Sequence, residues 1–306
     1  MLSSLKIQNI KNIATKLLSS GQATKMELVL STDLSNTTVS DCINSLLKLG
    51  LVATVGWEDS IGGRRSSIYE INRNFGVSLG IMLYEQDIEI AIADAGNIII
   101  DHLYFKITDD EPPINSLIRA IEKVIERYHE KNLLSIGIGL DGVIDYENQI
   151  VIECKSYKWN NVHLKEIIER HFLTPAYIDH RINGAAYYEK LMGQAKSLDN
   201  FIFMLEGIEE KVVLIIDGEI SRGAGNLSGR INSMQQMLNN LVSYMQFLDI
   251  TTAIIGFKSS GFKEKISSIN TEKGQIITFS MNQAQLVQGL ALMAQVKWFE
   301  SIYFML

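Results

Sequence analysis

The chain of 306 residues has 46% hydrophobic residues and only three prolines, which excludes a disordered protein, because so much apolar surface can offset the entropy of ordering. Its length suits two or three globular units, each with its own core. The net charge of −7 is uneven: residues 1 to 74 carry eight Lys and Arg against six Asp and Glu, or +2, leaving −9 for the rest, so a polyanion partner belongs to the N-terminal piece.

In chain order, Ile10, Ile13, Ala14, Leu17 and Leu18 recur at helical spacing and stop at Ser20-Gly21, predicting an amphipathic helix ended by glycine. A second helix is expected from about Thr24 to Ser31, burying Met26, Leu28, Val29 and Leu30 to differing degrees. Thr32-Asp33-Leu34 reads as a tight connection, and Ser35 as the N-cap of a third helix that runs to Gly50. Val39, Ile43, Leu46 and Leu47 share one face of that helix, while Asn36, Thr37, Ser40, Asp41 and Asn44 share the other. With Ser35 and Thr38 these form a set of short hydrogen-bonding side chains able to approach base edges and phosphates. Two strand-like runs follow, 51 to 55 and 67 to 71, joined by GWEDSIGGRRS, a hairpin whose glycine-loosened tip carries Arg64 and Arg65. Three helices and a basic hairpin in this order make a winged helix-turn-helix with double-stranded DNA as the expected partner; the alternative is a protein-binding winged helix.

From residue 75 onward, GVSLGIMLY, DIEIAIAD and NIIIDHLYF read as three strands, followed by a helix over about 114 to 130 and a strand SIGIGLDG. The order recurs in FIFMLEG, KVVLIID and GEISRG, a helix around 233 to 247, a strand TAIIGF, a helix over 261 to 269 and a strand QIITFS. Periodicity alone gives an α/β region of two similar halves. The apolar C-terminal stretch is interrupted by Gln285, Gln288, Gln295, Lys297 and Glu300, so it is expected to be a buried or half-buried helix of a cytoplasmic protein that does not enter a membrane. Cys42 and Cys154 stand alone, without a ligand-spaced histidine, and are expected to be reduced structural thiols.

The string ELVLSTDLSNTTVSDCINSLLKLGLV through IGGRRSSIYEIN resembles the DNA-binding domain of the ROK family of repressors and sugar kinases. Further on, IGIGLDGVIDYENQIVIECKSYKWNN is similar to the family's "GIGIPGPVD" segment, with Asp141 where proline is usual, and DGEISRGAGNLSGRINSM to its "DG.L..GA.G.AGEIGHM" segment. The resemblance implies an α/β chain with a winged helix over 1–74 and an actin-like ATPase (ribonuclease H-like) ROK domain over 75–306. The halves of that domain would be about 75–182 plus the C-terminal helix, and 183–282. The function implied is a sequence-specific transcriptional regulator, a repressor of carbohydrate genes, acting on its operator as a homodimer or higher homo-oligomer.

The chain departs from the family where the chemistry lies. The first phosphate loop, DxGGT in the kinases, is MLYEQD at 82 to 87, and the second, GTGIGxG, is matched by 207 to 213 with one glycine and two added glutamates. The family's NDAN, whose Asp is the kinase base, is matched by His180-Arg181-Ile182-Asn183, and a permanently protonated arginine cannot accept a proton. Arg230 and Ser233 stand where "GEIGH" supplies a sugar-binding Glu and a zinc-ligating His, and the Cys-rich zinc loop is missing. The expectation is a regulator without kinase activity, zinc or any other cofactor; a residual sugar kinase and a ligand-independent DNA-binding protein are the alternatives. His180, Arg181, Asn183, Arg230 and Asp141 are the candidate ligand-binding residues, for an anionic metabolite such as a sugar phosphate. The competing reading pairs the arginines with Asp141, Asp145 or Glu189.

Overall fold

The computed structural model describes residues 4–58, 65–108, 110–208, 211–271, 274–280 and 282–302. Its N-terminal part begins with helix α1 (Ser4–Ser20), strand β1 (Gln22–Thr24), α2 (Lys25–Thr32) and α3 (Asn36–Leu49). Local chemistry sets each boundary. Gly21 turns the chain at φ +76, and Thr24 with Glu27 forms a reciprocal capping box, in which the Glu27 amide donates to Thr24 Oγ1 at 3.3 Å and the Thr24 amide to Glu27 Oε2 at 2.7 Å. Ser35 Oγ accepts from the Thr38 amide at 3.1 Å, and Gly50, at φ +82, closes α3 by donating to the carbonyls of Leu46 and Leu47. Strands β2 (Val52–Glu58) and β3 (Ser66–Ile71) pair antiparallel, and β1 adds to the free side of β3, giving the order β1-β3-β2. The two strands expected around 51 to 55 and 67 to 71 are present, the tip between them at 59 to 64 lies outside the described residues, and β1 was not foreseen. Leu28 alone is fully buried in α2; Met26 and Leu30 are 61% and 74% exposed, which corrects the expectation that they contribute to the core.

The rest of the chain forms two five-stranded sheets of the same topology. The first contains β4 (Val77–Leu83), β5 (Asp87–Asp94), β6 (Ile99–Lys106), β7 (Leu133–Leu140) and β11 (Ala176–His180), in the order β11-β7-β4-β5-β6. Helix α4 (Pro113–Arg127) leads into β7. A small sheet of β8 (Val143–Asp145), β9 (Ile150–Cys154) and β10 (Trp159–Val162) and helix α5 (Leu164–Phe172) separate β7 from β11. After α6 (Arg181–Leu191) the second sheet contains β12 (Phe201–Leu205), β13 (Val213–Ile216), β14 (Glu219–Ile220), β15 (Thr252–Phe257) and β16 (Gln275–Ser280), in the order β14-β13-β12-β15-β16. In each sheet three antiparallel strands are extended by two parallel ones through helical crossovers. The helix expected over 233–247 is interrupted at Asn240, giving α7 (Met234–Asn239) and α8 (Leu241–Phe247), and α9 (Ser260–Ser267) precedes β16.

Helix α10 (Gln283–Trp298) lies across the first sheet. The fit depends on glycine: a Cβ on Gly80 or Gly137 would overlap the α10 carbonyls of Val287 or Leu290, and one on Gly289 would overlap the Gly184 carbonyl of α6. Leu292, Val296, Trp298 and Phe299 of the α10 region share a hydrophobic cluster with Ile10, Ile13 and Leu17 of α1, so the N-terminal helices pack on the C-terminal one. Lys11 Nζ ties this contact to Glu300 Oε1 at 2.6 Å. Among the described residues no helix is long and apolar enough to cross a membrane.

Candidate functional site

Two surfaces carry the residues singled out above. On α3, Ser35, Asn36, Thr37, Asp41 and Asn44 are exposed, while Val39, Cys42, Ile43 and Leu46 anchor the opposite face. Three of the six candidate contacts at this helix are partly engaged: Thr38 Oγ1 lies 2.8 Å from Ser35 Oγ, and Ser40 Oγ donates to the Asn36 carbonyl at 2.8 Å. Asn36, Thr37 and Asp41 therefore keep the most outward-facing polar atoms. Arg65 is exposed just before β3, and Arg64 lies outside the described residues. Trp57, 63% exposed on β2, stands on the same wing and was not flagged by sequence reasoning.

The second surface is where β7, β11 and α6 meet the β13–β14 hairpin. Arg181 Nε lies 2.6 Å from Asp141 Oδ1, so the paired reading holds for this arginine. His180 caps α6, its Nδ1 accepting from the Ile182 amide at 3.4 Å, and its Nε2 is 3.6 Å from Asp141. Burial lowers the His180 pKa to about 3, with Lys211, Arg181, Arg230 and Arg222 acting in the same direction. The imidazole is neutral. Asn183 is fully buried and donates to Asp179 Oδ1 at 2.5 Å, leaving its own Oδ1 without a hydrogen-bond partner. Arg230 is exposed and bridges through its backbone to Lys211.

Four residues that the sequence reading passed over complete the cluster. Arg222 donates from both terminal nitrogens to Asp179, at 2.7 and 2.6 Å, and its guanidinium lies 3.9 Å from the centroid of the Tyr146 ring. Burial, then the Asp179 charge, pushes the Tyr146 hydroxyl well above its ordinary pKa. Lys211, buried beside the same ring, has no carboxylate within ion-pair distance among the described residues. Burial lowers its pKa to about 8; Asp179 opposes the shift and Arg222 and Arg230 add to it. Among the described residues, Arg181, Lys211, Arg222 and Arg230 against Asp141 and Asp179 give the cluster an excess of positive charge. The only sequence signals were an arginine inside ISRGAGN and a lysine beginning KVVLIID, 42 and 31 residues from His180.

In place of the first phosphate loop, the β4–β5 turn presents side chains. Tyr84 Oη donates to Glu89 Oε2 at 2.8 Å, Tyr104 Oη to Glu89 Oε1 at 3.2 Å, and His102 Nε2 lies 2.8 Å from the same carboxylate. Glu89 is fully buried on the face of β5 that also carries Ala91, packed between the sheets. A buried carboxylate ringed by phenols occupies the region where a phosphate loop would offer backbone amides.

The model of the ROK family matches residues 78–240, more than half of the chain. The chain belongs to the ROK family. Its curated ROK relatives include the xylose repressor of Caldicellulosiruptor bescii, 33% identical over 204 residues, which are 65% of this chain and 51% of that protein. The xylose repressor of Bacillus subtilis is 30% identical over 235 residues, 75% of this chain and 61% of its own length. The transcriptional dual regulator NagC of Escherichia coli is 23% identical over 220 residues, 70% and 54% of the two chains. The chain thus spans about half the length of the curated relatives it matches. Among solved ROK structures, a transcriptional regulator described as a homologue of the E. coli MLC protein superposes over 99% of both chains with a TM-score of 0.74 at 15% identity. A glucokinase from Streptomyces griseus, solved with glucose and AMPPNP, covers 72% of this chain and 99% of its own with a TM-score of 0.58 at 14% identity. At those identities the superpositions establish the fold, that of ROK regulators and sugar kinases.

Proposed function

We propose that this ROK protein is a DNA-binding transcriptional repressor of carbohydrate genes, not a sugar kinase, in which residues 1–74 read an operator and residues 75–306 carry the response to an effector. The observation that carries the reading is the outward polar face of α3, Asn36, Thr37 and Asp41, set beside the β2–β3 wing and braced by a fully apolar inner face. The repressors among its relatives support it. Kinase chemistry lacks its parts: the residue at the base position is Arg181, held by Asp141, and the phosphate-loop region is filled by Tyr84 and Glu89.

The cleft formed by His180, Asn183, Lys211, Arg222 and Arg230 suits an anionic effector better than a neutral sugar, since a buried lysine with no carboxylate at ion-pair distance among the described residues gains by meeting an anion. A single small winged helix binds one half-site weakly, so a homodimer on a two-fold operator in the cytoplasm completes the proposal. Competition binding to labelled DNA tests it: a specific fragment should resist excess bulk DNA, and replacing Asn36, Thr37 and Asp41 by alanine should remove that resistance.

A further inference from the structure

A further cavity lies beside the cleft of His180 and shares Tyr146, Asp179 and Arg222 with it. It has a volume of about 910 Å³ and lies between the N-terminal helices and the body, with α1 and the end of α2 on one side and β11, α6, α10 and the β13–β14 turn on the other. Its inner end is the Asp179–Arg222 pair with Tyr146; Tyr177 and Tyr187 supply flat apolar surface, and Gln8, Asn12, Ser19 and Thr32 line it with amide and hydroxyl groups. Thr15 Oγ1, on the α1 wall, is buried with no hydrogen-bond partner.

The charges around this cavity do not cancel. Of the cations on its wall, Arg222 is matched by Asp179 and Lys190 by Asp199 at 2.8 Å, while Lys11 and Lys297 share the single carboxylate of Glu300 at 2.6 and 3.6 Å. Lys196 reaches only the Ser19 carbonyl, at 3.1 Å, and Lys16 has no recorded partner among the described residues. The lining itself holds three carboxylates, Asp33, Asp179 and Glu219; with the ion-pair partners Asp199 and Glu300 beside it, six cations are set against five carboxylates among the described residues. The surplus is one positive charge, and the two lysines without a carboxylate both stand at the end of α1.

We propose that this interdomain cavity is a second small-molecule site, for a polyhydroxylated compound bearing one anionic group, with that group held by Lys16 and Lys196 and the hydroxyl-bearing body between Thr15 and the tyrosines. A compound there touches α1 and the effector domain at once, so its binding sets how the N-terminal helices sit on the body. The coupling needs no closure of the cleft.

Isothermal titration of the full chain with D-glucuronate, D-glucose 6-phosphate and D-glucose tests the site without DNA, so its failure is distinct from failure of the repressor reading. At least one anion should saturate in the millimolar range or tighter, with glucose at least tenfold weaker, and the stronger of the two names carboxylate or phosphate as the anionic group. Lys16→Ala with Lys196→Ala should weaken that binding at least tenfold, and Lys16→Glu alone should weaken it too. Absence of saturation by either anion, equal binding of glucose, or loss of binding in Arg230→Ala with none in the lysine variants would overturn the proposal, the last by placing the anion in the cleft.

Discussion

Arg222 grips Asp179 with both guanidinium nitrogens, at 2.7 and 2.6 Å, across the join between the β13–β14 hairpin and β11. The carboxylate is 3% exposed, so the pair joins the β13–β14 hairpin of the second five-stranded sheet to β11 of the first through a largely desolvated contact. Removing the arginine alone leaves a buried charge without its partner. Arg222→Ala is expected to lower unfolding free energy by about 3 kcal/mol, as measured by urea denaturation, and Asp179→Asn in the same background should restore part of it.

The neutral state of His180 gives a pH signature. Its pKa falls from 6.5 to about 3 on folding, so the unfolded chain takes up a proton that the folded chain refuses between those values. Stability from this group is complete above pH 6.5 and is lost as pH falls toward 3. The loss amounts to about 2 kcal/mol by pH 5, at 1.36 kcal/mol per pH unit. His180→Asn should flatten the acid limb of the stability curve by that amount, measured as urea midpoints from pH 7 to 4.5.

Lys211 should show a trade between stability and ligand binding. Folding lowers its pKa from 10.5 to about 8, so the buried ammonium opposes folding at neutral pH. As pH rises from 8 to 10.5 the folded chain has already released the proton that the unfolded chain still holds, and stability rises. Lys211→Met is expected to be neutral or stabilising at pH 7, by up to about 3 kcal/mol. In thermal-shift assays it should also remove any stabilisation that an anion in the cleft confers.

The α6–α10 crossing tolerates no side chain at its closest point. Gly289→Ala would drive a methyl group into the Gly184 carbonyl, and the two helices would have to separate. A destabilisation of about 3 kcal/mol or failure to accumulate as soluble protein is expected, whereas Gly261→Ala, where a Cβ meets nothing within 4 Å, should cost little.

Much of this architecture was legible because caps and periodicity agreed. Gly21, Ser35 and Gly50 mark helix ends by chemistry that does not depend on the rest of the fold. The repeated meander of β4 to β6 and β12 to β14 shows as alternating apolar runs. What escaped was non-local. Strand β1 has three residues and exists because β3 offers an edge, and β8 to β10 are short, with an irregular register between β8 and β9. Asn240 breaks α7 from α8 without glycine or proline to signal it. At the site, Arg181 stands beside His180 in sequence, yet Asp141 neutralises it; Arg222 and Lys211 arrive by the hairpin, Arg222 held by Asp179 and Lys211 without a carboxylate at ion-pair distance among the described residues.

The most direct measurement is a selection of genomic fragments by the purified full chain, sequenced at near-physiological salt, together with an Asn36, Thr37 and Asp41 alanine variant and an Arg65→Ala variant. The expected result is enrichment of a two-fold symmetric sequence with half-sites spaced by whole helical turns. That enrichment should be scrambled by the α3 variant and retained at uniformly weaker affinity by Arg65→Ala, with a salt slope reduced by about one. Enrichment of no sequence over bulk DNA, or of one that the α3 substitutions leave unchanged, would contradict the assignment of the winged helix as an operator reader.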